Sequence, residues 1–199
     1  MPLSNVQTRS RKQVLTIADL AEAGYDIPGD LVRGQFVSMP PTGHTHAEVE
    51  ANLAFILKAF AKDKRLGRVM TGEVGIITQR APDTVRGADV AYISHERMKG
   101  ASATGYLDVA PELIGEVISP NDRWTDINEK LEEYFGIGVL VVWILDPKQR
   151  RVHVYRSPTQ VEKLGPGDML VIDDLLPGLR IQVDDLFEDG QIEDIRPEK

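Results

Sequence analysis

The apolar positions of this chain change period several times, and each change marks an element. From Thr45 to about Lys64, Val49, Leu53, Ile56, Leu57 and Phe60 recur at the spacing of one helix face, the longest such pattern in the chain. A shorter helical stretch covers residues 13–23 and ends at Gly24. Residues 31–39 read as a strand or hairpin around Gly34, and Pro40-Pro-Thr-Gly43 breaks the chain after them. Residues 68–78 and 88–94 are β-type, with 81–85 expected as the loop between them and 95–109 as a polar excursion. Residues 112–119 form the next strand, followed by a helix to about Phe135, with Asp122 or Thr125 as its expected cap. Val139-Leu-Val-Val-Trp-Ile-Leu145 is apolar throughout, the mark of a strand buried on both faces. A turn at 146–149 leads into alternating Arg151-Val-His-Val-Tyr155, expected antiparallel to it. Short β segments follow near 161–164, 169–172 and 179–183.

This order of elements predicts an α/β (α+β) chain with a mixed central sheet flanked by helices. No Gly-, Ser- or Pro-rich linker divides it. A single domain is expected over 13–187, between a flexible segment 1–12 and a polar acidic tail 188–199. The 199 residues are enough for a full hydrophobic core. No window approaches the roughly 18 apolar residues of a membrane span, and no apolar region follows the basic N-terminus as in a signal peptide. With no cysteine there is neither disulfide nor thiolate chemistry, so a cytoplasmic location is expected.

Two acids break the pattern. Glu116 lies in Pro111-Glu-Leu-Ile-Gly-Glu-Val-Ile-Ser-Pro120, and Asp89 in Ala88-Asp-Val-Ala-Tyr-Ile-Ser94. A carboxylate in a core strand is costly unless it is paired or binds a metal. Two of them on neighbouring strands are the minimum for a hard divalent cation. Many phosphodiesterases add a lysine two residues after the second acid. Ile118 occupies that position here, but Lys130 lies at the edge of the inward stripe Ile127, Leu131 and Tyr134 of the following helix. Taken alone, Asp89 reads more readily as a structural residue capping a turn at the strand edge and Lys130 as a solvated helix lysine.

The segments Gly34-Gln-Phe-Val-Ser-Met-Pro-Pro41, His46 opening a helix, Pro82-Asp-Thr-Val-Arg-Gly-Ala-Asp-Val-Ala-Tyr-Ile93, residues 111–120, Lys130-Leu-Glu-Glu-Tyr134, residues 138–147 and 176–187 follow one another in an order that resembles the Uma2 family of restriction-endonuclease-like proteins. The resemblance covers about residues 15–187. It implies membership of the PD-(D/E)xK nuclease superfamily, Mg²⁺-dependent (or Mn²⁺-dependent) phosphodiester cleavage, and DNA as substrate. It also implies Asp89, Glu116 and the Val117 backbone carbonyl as metal ligands, with Lys130 as the lysine moved from strand to helix. Ala88 stands where the family usually has proline, which removes no ligand.

Other residues are candidates for the cleft. His46 and Glu50 share a helix face and are expected either as additional ligands or, for His46, as a residue satisfying the helix start. Glu73 is expected behind the ligands, and Arg86 and Arg123 on loops where they would touch phosphates. His44, His95 and His153 have no partner at ligand spacing, so zinc is not expected. The two tryptophans read as packing residues. The net charge of −8 suits a polyanion poorly, although the last forty residues, with four basic and eleven acidic side chains, carry most of it. A homodimer is expected, since nucleases that cut both strands commonly pair symmetrically. The alternative is a non-catalytic nucleic-acid or protein-interaction module on the same fold.

Overall fold

The computed structural model describes residues 14–24, 28–120 and 122–188. The expected flexible segment 1–12 and the tail beyond 188 lie outside the described residues. Among the described residues four α-helices and ten strands follow one another: α1 (Ile17–Glu22), β1 (Gly29–Val32), β2 (Gln35–Ser38), α2 (His44–Asp63), β3 (Gly67–Gln79), β4 (Thr84–Ser94), α3 (His95–Met98), β5 (Leu113–Val117), α4 (Trp124–Gly136), β6 (Val141–Asp146), β7 (Arg151–Ser157), β8 (Gln160–Leu164), β9 (Met169–Val171) and β10 (Arg180–Gln182). A 3₁₀ turn spans Val183–Leu186.

The main sheet runs β2-β1-β4-β5-β6-β7-β8, with β3 on the other edge of β4. Every pairing between these strands is antiparallel except β5–β6, which α4 joins by a crossover. Side-chain alternation divides the core. Leu113, Val117, Val141, Trp143 and Leu145 turn to the face covered by α2 and by the segment from Leu170 to Leu186. Ile114, Val142 and Ile144 turn to the opposite face, under Leu131 and Tyr134 of α4. Because β5 alternates, Glu116 shares the α4 face with Ile114. This register is what aims the carboxylate at α4 and not at α2.

Several boundaries differ from the pattern, each for a local reason. α1 starts at Ile17, later than expected, because the Thr16 and Asp19 side chains cap each other's backbone and Leu15 N–H donates to the Gly34 carbonyl. β4 starts at Thr84, inside the expected loop, because Val85 pairs with Leu31 of β1 as well as with Ile77 of β3. Arg86 is therefore a strand residue. Neither Asp122 nor Thr125 caps α4. Its N-cap is Arg123, which makes no side-chain cap bond, and Asp122 instead accepts from Ser119 N–H at 2.7 Å. α2 begins after Gly43, so His46 is inside its first turn and not its cap.

Where α2 crosses β5, Gly115 leaves room for Leu53. A Cβ on Gly115 would come within 2.5 Å of Leu53 Cδ2, and Leu53 is fully buried. Gly115→Ala should therefore destabilise the protein by about 1–3 kcal/mol through overpacking, and Leu53→Ala by about 2–5 kcal/mol through a cavity. Urea unfolding of the double variant should show a loss smaller than the sum, because the alanine methyl occupies part of the space that Leu53 vacates.

Candidate active-site cleft and metal centre

β4 touches two strands on one edge. Val85 meets β1, whereas Val90, Ala91 and Tyr92 meet β5. Between these contacts residues 86–89 face a gap, and side chains fill it. Gly87 N–H donates to Asp30 Oδ1 at 2.8 Å, and Lys130 Nζ donates to the Gly87 carbonyl at 3.1 Å. Val117 N–H, past the last β4–β5 pair, donates to Asp89 Oδ2 at 2.6 Å. The gap opens into a cleft of about 590 Å³. Asp30, Glu73, Asp89 and Glu116 are among the acids that line it, and its apolar walls include Val37, Met39 and Ile144.

Glu116 is gripped from α4. Lys130 Nζ lies 2.8 Å from Oε2, and the Tyr134 hydroxyl donates to Oε1 at 2.6 Å. Burial pushes the Glu116 carboxyl up to about 7, with the Asp89 charge adding to the effect and Lys130 opposing it. For Lys130, burial favours the neutral amine, but the charges of Glu116, Asp30 and Asp89 win and its affinity for a proton rises. It is an ammonium at any working pH. The Tyr134 hydroxyl is held protonated, well above its ordinary range, by burial and by Glu116.

His46 reaches the cleft from α2. Its Nε2 lies 3.3 Å from Asp89 Oδ1 and its Nδ1 3.2 Å from Ser119 Oγ. Burial lowers its proton affinity, but the bond to Asp89 and the charges of Asp89, Glu50 and Glu73 outweigh that and raise it. One turn on, Glu50 Oε1 accepts the Thr71 hydroxyl, and Gly72 N–H at 3.1 Å. Ligand atoms of His46, Glu50 and Asp89 all lie within 4.8 Å of one another. Two carboxylates and an imidazole suit Mg²⁺ or, with the nitrogen donor, Mn²⁺. An imidazole whose Nδ1–H donates to Ser119 presents its Nε2 lone pair to a cation, so the donor set fits such an ion.

The remaining candidates fall in different places. Glu73 lines the cleft from a bulge in β3. Thr71 pairs with Val90 and Val74 with Ala88, so Gly72 and Glu73 together stand opposite Asp89. Arg86, expected on a loop as a phosphate contact, is a buried strand residue with its guanidinium committed. It donates to Glu133 twice at 2.7 Å and to Asp30 at 3.1 Å. Arg123, exposed at the start of α4, is not among the residues lining the cleft. Trp143 is wholly buried, whereas Trp124 is 47% exposed and stacks on His153 with ring centroids 5.5 Å apart.

Three site residues escaped the sequence reading. Asp30 is 2% exposed, yet it precedes the expected strand start at Leu31. Its signal was the one that singled out Glu116, an acid beside an apolar strand. Glu133 and Tyr134 sit one turn beyond Lys130, and only the inward stripe pointed to Tyr134.

Among solved structures, the crystal structure of a "putative nuclease belonging to DUF820" from Anabaena variabilis ATCC 29413 matches with a TM-score of 0.71, covering 87% of this chain and 97% of that one at 18% identity. At that identity the match defines a fold class, a mixed α/β sheet with helices as in that nuclease-like structure. The model of the Uma2 family, described as "Putative restriction endonuclease", matches residues 20–184, and the chain belongs to the Uma2 family. No curated protein matches it. Among the described residues, no helix is long and apolar enough to cross a membrane.

Two predictions follow from the buried charges. Arg86→Met strands Asp30 and Glu133 without their cation and should cost about 3–5 kcal/mol in urea unfolding, with Asp30→Asn in the same chain recovering part of the loss. The second concerns pH. Glu116 binds its proton more tightly in the folded chain than at its ordinary value of 4.5. Its contribution to stability is therefore complete below pH 4.5 and is lost as pH rises through about 7. With divalent cations chelated, Glu116→Gln should remove a downward slope in stability of at most about 1.4 kcal/mol per pH unit across that window.

Proposed function

We propose that the chain is a metal-dependent endonuclease that hydrolyses phosphodiester bonds of DNA. The observation that carries this reading is the convergence of Asp89, Glu116 and Lys130 on one gap in the sheet, beside the His46–Glu50–Asp89 group. Asp89, His46 and Glu50 would hold Mg²⁺ or Mn²⁺. Glu116 faces the cleft from β5, and so does the Val117 carbonyl, which shares the strand edge of the Val117 N–H bonded to Asp89. A bound divalent cation supplies charge neutralisation for a phosphoryl group and a more acidic water.

The chain's own residues supply the rest. Lys130 places a permanent positive charge in the cleft, fixed by Glu116 and the Gly87 carbonyl, to balance charge that develops on the phosphoryl group. Tyr134 holds the other oxygen of Glu116, so the acid keeps one orientation. Ile118, also lining the cleft, adds only apolar surface at the position where a lysine is common. Met39 and Val37 add apolar surface to the wall of the cleft. A symmetric pair of copies would bring one such centre to each strand of a duplex.

Cleavage of supercoiled plasmid and of single-stranded DNA with Mg²⁺ or Mn²⁺ tests the reading. Asp89→Asn and Lys130→Met should each lower the rate by about 10²–10³-fold or more, and calorimetry should show Mn²⁺ binding lost in Asp89→Asn and kept in Lys130→Met. A wild-type chain as inert as both variants on every substrate and metal contradicts it.

A further inference from the structure

The acids around the cleft are nearly all engaged. Asp30 holds Arg86 and the Gly87 N–H, Asp89 holds Val117 N–H and faces His46, and Glu116 holds Lys130 and Tyr134. Glu50 holds Thr71 and Gly72. The carboxylate of Glu73 has neither a hydrogen bond nor an ion pair among the described residues.

Its backbone position is itself unfavourable. In the β3 bulge Gly72 has φ 87° and Glu73 has φ 57°. The first suits glycine, whereas a glutamate in the left-handed region is strained unless its surroundings fix it there. Glu50 does so, by bonding Thr71 and Gly72 immediately before it. The bulge swings the Glu73 carboxylate over Gly87, where a Cβ would lie 2.5 Å from Glu73 Oε2 and 3.6 Å from Asp30 Oδ1. Bulges beside active sites commonly re-aim one side chain. From the opposite side Lys130 Nζ reaches the carbonyl of the same glycine. Gly87 thus lets a free carboxylate and a fixed ammonium approach one strand edge.

Lys130, paired and charged, has no lone pair with which to accept a proton. We propose that Glu73 is the general base of the hydrolysis, taking the proton from the attacking water. This rests on the phosphodiesterase reading above. The water oxygen forms the new bond to phosphorus while one of its protons passes to a Glu73 oxygen. The bond from phosphorus to the leaving oxygen breaks, that oxygen takes a proton from solvent, and Glu73 returns its own to bulk water. The charged and titratable groups that act on Glu73 come from several elements: Asp30 on β1, His46 and Glu50 on α2, Asp89 on β4 and Lys130 on α4. Burial, Asp89, Asp30 and Glu50 raise its proton affinity above the ordinary carboxylate value, against the opposing charge of Lys130, which moves it towards the pH at which a base works best.

The test compares the full-length wild type with Glu73→Gln, Glu73→Gly and Asp89→Asn for plasmid cleavage with Mn²⁺, Mn²⁺ binding by calorimetry, and urea unfolding. Glu73→Gln should lower kcat by about 10²–10⁴-fold, lose the acid limb of the pH–rate profile, and bind Mn²⁺ as the wild type does. Glu73→Gly should be as inactive but at least as stable as the wild type, because glycine relieves the left-handed backbone. Wild-type cleavage by Glu73→Gln, with Asp89→Asn inactive, overturns the role of Glu73 and leaves the nuclease reading standing. Loss of Mn²⁺ binding in Glu73→Gln also overturns it, by making Glu73 a ligand. A wild type that cleaves nothing overturns both.

Discussion

The structure depends on how β4 satisfies its backbone where its two neighbours on one edge part. β1 serves that edge at Val85 and β5 serves it from Val90. The peptide groups between them would be left without partners, at about 1–3 kcal/mol for each buried group left unsatisfied. Asp30 and Lys130 supply the missing partners at Gly87, and Asp89, on β4 itself, supplies one for Val117 N–H of β5. The charged side chains of the cleft are thus also part of the sheet. Their positions follow from strand geometry and not from flexible loops, which gives the site its preorganisation.

The same arrangement creates an electrostatic imbalance. Two cations, Arg86 and Lys130, are locked by four acids, Asp30, Glu129, Glu133 and Glu116. Among the described residues, Asp89 has only a backbone N–H and an imidazole, and Glu73 has neither a hydrogen bond nor an ion pair. Burial first, and then the crowding of negative charge, raises the proton affinities of Glu116 and Glu73, and at His46 the same crowding outweighs the opposing effect of burial. A divalent cation would relieve that crowding. It would also offset the repulsion that a chain of net charge −8 exerts on a phosphate backbone.

Much of this was legible in the sequence, for a physical reason. Glu116 and Asp89 interrupt apolar strands, and an acid there must have a partner. The isoleucine at 118 pointed onward to Lys130, and the side chain of Lys130 does reach Glu116. His46 and Glu50 showed their shared helix face by spacing alone. What stayed hidden depends on tertiary pairing. Arg86 read as a loop residue because it is the pairing of 84–87 with β3, and of Val85 with Leu31 of β1, that draws this stretch into the sheet. Asp30 lay one residue outside its expected strand. The β3 bulge left only a trace in the sequence, the glycine before Glu73, since its geometry is set by Glu50 from a helix twenty-two residues away from Gly72.

The central claim is that the gap in the sheet holds a divalent cation at Asp89. Anomalous diffraction from crystals equilibrated with saturating Mn²⁺ tests it most directly. The account predicts a manganese peak in the cleft coordinated by Asp89, with His46 and Glu50 as fellow ligands and Lys130 still bonded to Glu116. A cleft without manganese at saturation, or a peak that Asp89 does not ligate, would contradict it.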